Sequence, residues 1–368
     1  MSEERELGRN LAERTLQLVN IRSVSRDETI LLEHVEGLLR PLRSFTLDVI
    51  PGQGLLALPA RLGRRPLVVL AGHVDTVPEQ ANLPGQREGD SIVGLGASDM
   101  KGGLAVMLEL ARRLEGEPAE QAVDLGLLFF AREELPIVES AVPAIFAGCP
   151  RLRQAALIVM MEPTDGTLQI GCLGNLNARI VFEGKSAHSA RPWHGDNALH
   201  KAIRALRPLT ERLPKDVTIG QLTYREVLSL TQIQGGVAQN VIPDRVVCQV
   251  NYRYAPNRAP AEAEAELRAL TPYEGRLEIA GNAPPARAAV DNPLVERLRL
   301  AGQLAVEPKQ AWTPVAEFSA EGLDAVNFGP GATRFAHRRD ERVEVRAMVE
   351  SFQVLRRFAL AGAAVKAR

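Results

Sequence analysis

The stretch "PLVVLAGHVDTVP", residues 66–78, runs through six consecutive apolar or small residues and then delivers a histidine and an aspartate two positions apart. A short, unbroken apolar run without alternation reads as a strand buried on both faces. "VDLGLLFFA" (123–131) and "AALIVMM" (155–161) repeat the pattern. Between the first two, "GGLAVMLELARRLEG" (102–116) has the three- and four-residue leucine spacing of a helix, as do residues 8–20 and 27–41. Strands that alternate with helices predict an α/β domain: a sheet covered by helices.

The pattern changes near residue 176. "NARIVFEG" (177–184) reads as a strand and "DNALHKAIRALRPL" (196–209) as a helix capped by Asp196. "EVLSLTQIQGG" and "RVVCQVNYRYAP" (245–256) read as strands, "APAEAEAELRAL" (259–270) as a helix and "GRLEIAG" (275–281) as a strand. The order β-α-β-β-α-β is that of a ferredoxin-like α+β unit. From about residue 285 the α/β character returns, with a helix in "NPLVERLRLAGQLA", a strand in "LDAVNFGPG" and a closing helix over 343–366. The expected organisation is a first domain of mixed sheet and helices in two parts, 1–175 and 285–368, interrupted by a smaller domain over 176–284.

Bulk properties narrow the function. The chain has 368 residues and a net charge of −1, which gives no electrostatic reason to bind nucleic acid or an anionic membrane. No apolar run approaches the ~20 residues of a membrane span. The opening "MSEERELGRN" is charged and lacks an apolar core, so no secretory signal is expected and the cytoplasm is the default location. Cys149, Cys172 and Cys248 are scattered and make neither a disulfide framework nor a thiolate zinc site.

Chemistry concentrates where the strands end. His73 and Asp75 follow the first strand, Glu133 and Glu134 the second, and Glu162 the third. Asp99 lies in the Gly-rich "GLGASDMKGG" before a helix, and His337 in a loop near the C-terminus. Ligands of open α/β sheets gather outside the carboxyl ends of the strands. Singly, each residue has an ordinary reading: a chance His-x-Asp, a solvated Glu pair, an aspartate helix cap. Together they make one convergent set of imidazoles and carboxylates, which suits zinc, manganese or cobalt. A cation also explains adjacent glutamates: one carboxylate binds it while the other stays free as a base. Asp75 can accept the second ring N–H of His73. His34 sits in a helical stretch and, like His194 and His200, reads as structural.

"GHVDTVP", "GLGASDMKGG", "REE", "MEPT" and "AHRRDERV" resemble, in order and over essentially the whole chain, the metallopeptidase family of succinyl-diaminopimelate desuccinylase, acetylornithine deacetylase, aminoacylase and carboxypeptidase G type. "AHSARPWHGDNALHK", "GGVAQNVIPD" and "NYRYAP" look closest to desuccinylase-like members. The resemblance implies a homodimeric hydrolase of amide bonds with two zinc ions per subunit, replaceable by cobalt or manganese. Asp99 would bridge the ions. His73 and Glu162 would complete one, Glu134 and His337 the other. Glu133 would be the general base and Asp75 would orient His73. The inserted domain would dimerise, His188 would reach the partner's site as an oxyanion donor, and Asn240 and Arg253 would hold polar groups or the carboxylate of the substrate. Without the resemblance, His188 reads as a surface loop histidine and Arg253 equally as a strand-surface residue.

The implied substrate is an N-acyl amino acid, first N-succinyl-diaminopimelate in lysine biosynthesis, next acetylornithine or acetyl-lysine, then a dipeptide. One segment departs from the desuccinylase-like pattern. "WTPVAEFSAEG" keeps Thr313 but places Pro314 and Glu317 where Asp and Arg are expected. A catalytically silent binding protein would lack a ligand or the base, and none is missing.

Overall fold

A computed structural model describes residues 3–63, 65–115 and 121–360. The chain divides into two compact units: Met1–Ile170 with Ala289–Glu307 and Glu317–Arg368, and Gly171–Ala288 with Pro308–Ala316.

The first unit is built on an eight-stranded mixed sheet. Its order is Phe45–Ile50, Gly54–Pro59, Asp124–Phe130, Leu67–His73, Ala155–Met160, Ala325–Asn327, Leu168–Ile170 and Val306–Pro308. The four strands from Asp124–Phe130 to Ala325–Asn327 run parallel. Asp124–Phe130 and Leu67–His73 are buried at every position, the burial that their unbroken apolar sequence requires. Helices Glu3–Val19, Gly102–Leu114 and Val345–Ala359 pack on one another through their leucine, valine and phenylalanine stripes. The part of the expected closing helix beyond residue 360 lies outside the described residues. The sequence reading did not name the edge hairpin of Phe45–Ile50 and Gly54–Pro59, which turns at Gly52 with φ +65°. It also omitted a small sheet of Gln86–Glu88, Ser91–Val93 and Arg342–Glu344, whose three-residue strands are too short to show a period.

The second unit is an antiparallel sheet in the order Lys215–Ile219, Leu222–Gly235, Arg245–Tyr254, Gly174–Glu183 and Gly275–Ala283. Helices Ala198–Thr210 and Pro260–Leu270 bury Ala202, Leu206, Ala263 and Leu267 against Ile180, Phe182, Val246 and Tyr252. Without Lys215–Ile219 this is the ferredoxin-like arrangement; the extra strand is a polar hairpin arm with no apolar stripe to announce it. The unit begins and ends further out than residues 176 and 284. Cys172 and Ala286 exchange backbone hydrogen bonds across its neck. Segment Pro308–Ala316 belongs with it, because Trp312 Nε1 donates to the Pro284 carbonyl at 3.0 Å and Gln310 bonds Thr223 and Arg225.

Helix Ala198–Thr210 corrects one local expectation. Its cap is Asn197, whose Oδ1 accepts from the Leu199 and His200 amides at 2.9 and 3.1 Å. Asp196 stands one residue too early and pairs with Lys201 instead. Replacing Asn197 by Ala should therefore cost about 1 kcal/mol of stability, the ordinary worth of a cap. Asp196→Ala, which removes a half-exposed ion pair, should cost less. Urea unfolding of the two variants checks this, and the reverse ranking would refute the assignment.

Candidate metal centre

Parallel pairing sets the site. His73 is the last residue of its strand and lies in register with Phe130, while Ala71 pairs with Met160. The carboxyl ends of three neighbouring strands therefore coincide, and the residues just past them meet: His73 and Asp75, Glu133 and Glu134, Glu162. Gly329, after the strand Ala325–Asn327, lets a fourth segment pass close by. A Cβ there would lie 2.2 Å from the Met161 carbonyl oxygen.

Asp99 occupies the middle. Its Oδ1 is 3.0 Å from Nε2 of His73, and its Oδ2 is 3.5 Å from Nε2 of His337. His337 Nε2 also lies 2.9 Å from Glu134 Oε1, and His73 Nε2 lies 3.9 Å from Glu162 Oε1. Donor atoms of His73, Asp99 and Glu134 fall within 4.8 Å of one another. Asp99 is not a helix cap: helix Gly102–Leu114 starts three residues later, and Asp99 has extended backbone angles. His337 adopts φ +60°, which turns its ring back toward the carboxylates.

Asp75 does more than the spacing suggested. The acceptor nearest His73 Nδ1 is the Asp75 carbonyl oxygen at 3.0 Å; the carboxylate oxygen lies at 3.5 Å. The carboxylate instead accepts the backbone amides of Glu133 and Glu134, each at 3.0 Å, and the hydroxyl of Ser25 at 2.8 Å. Asp75 thus fixes the ring of His73 and the peptide that carries both glutamates. Ser25 escaped the sequence reading, since a lone serine between two helices carries no signal.

Five carboxylates and two imidazoles crowd this edge. Burial and the neighbouring carboxylates Glu162, Glu134 and Asp99 push the Glu133 carboxyl well above its usual range, against the opposing charge of His73. Burial would raise Asp99, but hydrogen bonds from His337 and His73 outweigh it and hold the carboxylate far below its usual value. Burial would likewise depress His73, yet Asp75, Asp99 and Glu133 push it well above the ordinary imidazole value. Hydrogen bonds to Asp99 and Glu134 take His337 up to about 10. Both rings are thus strongly drawn to positive charge. A cation can supply that charge, and it would leave the imidazoles neutral as ligands. The donor set fits: oxygen and imidazole nitrogen, with all three cysteines buried elsewhere.

The other residues singled out from sequence lie in the second unit. His188 is exposed, and its Nδ1 accepts the Ala190 amide at 3.1 Å, which leaves Nε2 as a donor. Ser189 N donates to the Asn240 carbonyl at 2.9 Å, so the segments of His188 and Asn240 run side by side. Arg253 is half-buried on Arg245–Tyr254, and its Nε donates to Asn251 Oδ1 at 2.9 Å. In the first unit, burial pushes Glu317 up to about 7 despite a hydrogen bond with Ser140. Next to it, Phe318 packs edge-on against Phe130, and Phe130 packs edge-on against His73. His34 lies in helix Thr29–Leu39, and His194 beside the Trp193 ring.

Comparison with known proteins agrees with this geometry. Residues 69–361 match the model of peptidase family M20/M25/M40. The DapE protein of Mycobacterium tuberculosis, whose name as a succinyl-diaminopimelate desuccinylase is provisional, is 39% identical over 94% of this chain and 97% of its own. The succinyl-diaminopimelate desuccinylase of Corynebacterium glutamicum is 35% identical over 94% of both chains. A tripeptidase from Staphylococcus aureus shares the fold, with a TM-score of 0.78 at 18% identity over 95% of this chain and 97% of its own. The convergent imidazole–carboxylate site, the fold and these relatives agree: the chain belongs to the M20/M25/M40 peptidase family and is a metal-dependent hydrolase.

Proposed function

We propose that the protein is a cytoplasmic zinc enzyme that hydrolyses the amide bond of an N-acyl diamino acid, with N-succinyl-LL-2,6-diaminopimelate as its substrate and lysine biosynthesis as its setting. The observation that carries this reading is the placement of Asp99 between His73 and His337, with Glu133 and Glu134 mounted beside them. The substrate assignment draws on the names of the desuccinylase relatives. Half-buried Glu317 at the position of an expected arginine favours a second reading, a deacetylase whose acyl group carries no carboxylate.

His73, Asp99 and Glu162 would hold one cation, and Asp99, Glu134 and His337 the other, with cobalt or manganese as substitutes for zinc. A bound divalent cation of this kind acidifies water and polarises an acyl carbonyl. The remaining work falls to the chain. Glu133, with its raised affinity for protons, takes a proton from the attacking water and returns it to the departing amine nitrogen. Asp75 holds Glu133 in place through its amide. His188 offers its Nε2–H to the developing oxyanion in the partner subunit's site. Asn240 and Arg253 bind the polar groups of the substrate.

The partner is a second copy docked through the inserted unit, which serves as the dimerisation domain; the first unit is the catalytic domain. Among the described residues Lys215–Ile219 pairs with residues 222–226 of the long strand Leu222–Gly235, and the second half of that long strand presents an open edge. Ile203 and Ile233 are exposed beside it. An open edge flanked by apolar side chains is a place for another chain to pair.

Four arms of one assay test the substrate: succinyl-diaminopimelate, acetylornithine, acetyl-lysine and simple dipeptides. Turnover of the succinyl compound should exceed the others, and chelation should abolish it until zinc or cobalt is restored. Preference for an acetyl substrate would select the second reading, and activity in metal-free protein would end both. Glu133→Gln should lower kcat by about 10²–10⁴-fold with metal content unchanged; loss of metal would mean that Glu133 is a ligand. His188→Ala should lower kcat by about 10²-fold or more, as the loss of an oxyanion donor does, with KM and unfolding little affected. Full activity in that variant would exclude the donor role.

A further inference from the structure

The segment that carries Asp99 is a single wide helical turn, Ala97–Lys101, broken by non-helical angles at Asp99 and Met100. Gly94 and Gly96 have φ of +154° and +76°, and the backbone from Gly94 to Asp99 turns its amides inward in a buried loop. Buried amides need acceptors. Leu95 donates to the Asn82 carbonyl and Ala97 to the Gly94 carbonyl, and one residue accepts the other four. Glu341, 1% exposed, accepts the Gly94 amide on its carbonyl oxygen at 2.9 Å. Its Oε2 accepts from Gly96 at 2.9 Å, and its Oε1 accepts from Ser98 at 3.0 Å and Asp99 at 2.9 Å. Successive amides curled around a carboxylate form an anion nest, here filled from within the chain. Lys101, buried beside the loop, donates from Nζ to the Ile21 carbonyl at 2.9 Å.

Glu341 comes four residues after His337. On its other side, Arg342–Glu344 pairs with Ser91–Val93, which leads into the same loop. Ser98 Oγ closes the ring by donating to the Ala332 carbonyl at 3.2 Å. Two segments more than two hundred residues apart in sequence, one bearing Asp99 and the other His337, are thereby latched together at a single carboxylate.

We infer that Glu341 is a positioning residue for the metal centre: its carboxylate locks the Asp99 loop to the His337 loop and so fixes the spacing of these two donors. The inference rests on the metal-dependent reading of the site. A carboxylate that served only to satisfy buried amides would contribute to stability and leave cation affinity alone. A latch would set the affinity itself, as groups behind metal ligands do at about 10–100-fold.

The test is zinc affinity, measured by competition with a chromophoric chelator on full-length protein and expressed per folded molecule. Glu341→Gln keeps the shape, but its NH2 must face one of the loop amides; it should weaken zinc binding about 10-fold. Glu341→Ala removes every side-chain acceptor and should weaken binding about 100-fold. The zinc dependence of activity should shift to higher zinc by the same factors. If Glu341→Ala does not fold, the Gln variant carries the measurement. Unchanged zinc affinity in the folded variants would overturn the inference, whatever their thermal stability. Zinc failing to bind the parent would overturn the metal reading and the inference together.

Discussion

The functional end of this molecule is shaped by one constraint: negative charge gathered at the end of a buried sheet. Parallel pairing aligns the ends of Leu67–His73, Asp124–Phe130 and Ala155–Met160, and the sequence places acids just beyond each. Like charges in a low-dielectric setting drive one another toward protonation. Burial first, and then the carboxylates of Glu162, Glu134 and Asp99, push the Glu133 carboxyl up, while the carboxylates they face push His73 and His337 up. Such a set is costly for a fold that gains nothing from it. Its persistence at the end of a fully buried sheet makes sense when divalent cations belong there.

A site of this kind also needs its donors held still, and the protein does this twice by the same device. Asp75 accepts the amides of Glu133 and Glu134; Glu341 accepts those of Gly96, Ser98 and Asp99. In both cases a buried carboxylate grips the main chain of the loop and leaves the functional side chain free to face the site. Gripping the backbone is stiffer than packing a side chain, because the peptide plane moves as one body. Ser25 supports Asp75 in turn.

The α/β class was legible because its signals are local: unbroken apolar runs of strand length, leucines at helical spacing, and acids and histidines directly after the strands. The metal-site candidates share that legibility, since the covalent chain puts His73, Glu133 and Glu162 at strand ends whatever else happens. Less legible were features that depend on partners distant in sequence. Asn197 and Asp196 are both good caps, and only the exact start of the helix decides between them. The return of Pro308–Ala316 to the inserted unit depends on Trp312 meeting Pro284. Glu341, one acid among several in "HRRDERVE", gains meaning only when the loop of Gly94 wraps around it.

The departure at residues 314 and 317 can be weighed on charge. An Asp and an Arg close in sequence compensate each other; Pro314 and Glu317 leave one acid, raised to about 7 by burial. That acid can shed its charge by holding a proton, which is how a buried carboxyl without a cation is tolerated. It bonds Ser140 on the loop that follows Glu134, and its neighbour Phe318 packs edge-on against Phe130, which packs edge-on against His73. A succinyl substrate brings one carboxylate more than an acetyl substrate does, and residue 317 contributes no positive charge to meet it. The desuccinylase reading therefore places that task on Arg253, whose guanidinium is already oriented by Asn251 and whose burial favours a paired anion. The acetyl reading asks no such service of it, so on these proposals the charge at residue 253 would separate the two substrates more than the proposed metal ligands, which both share.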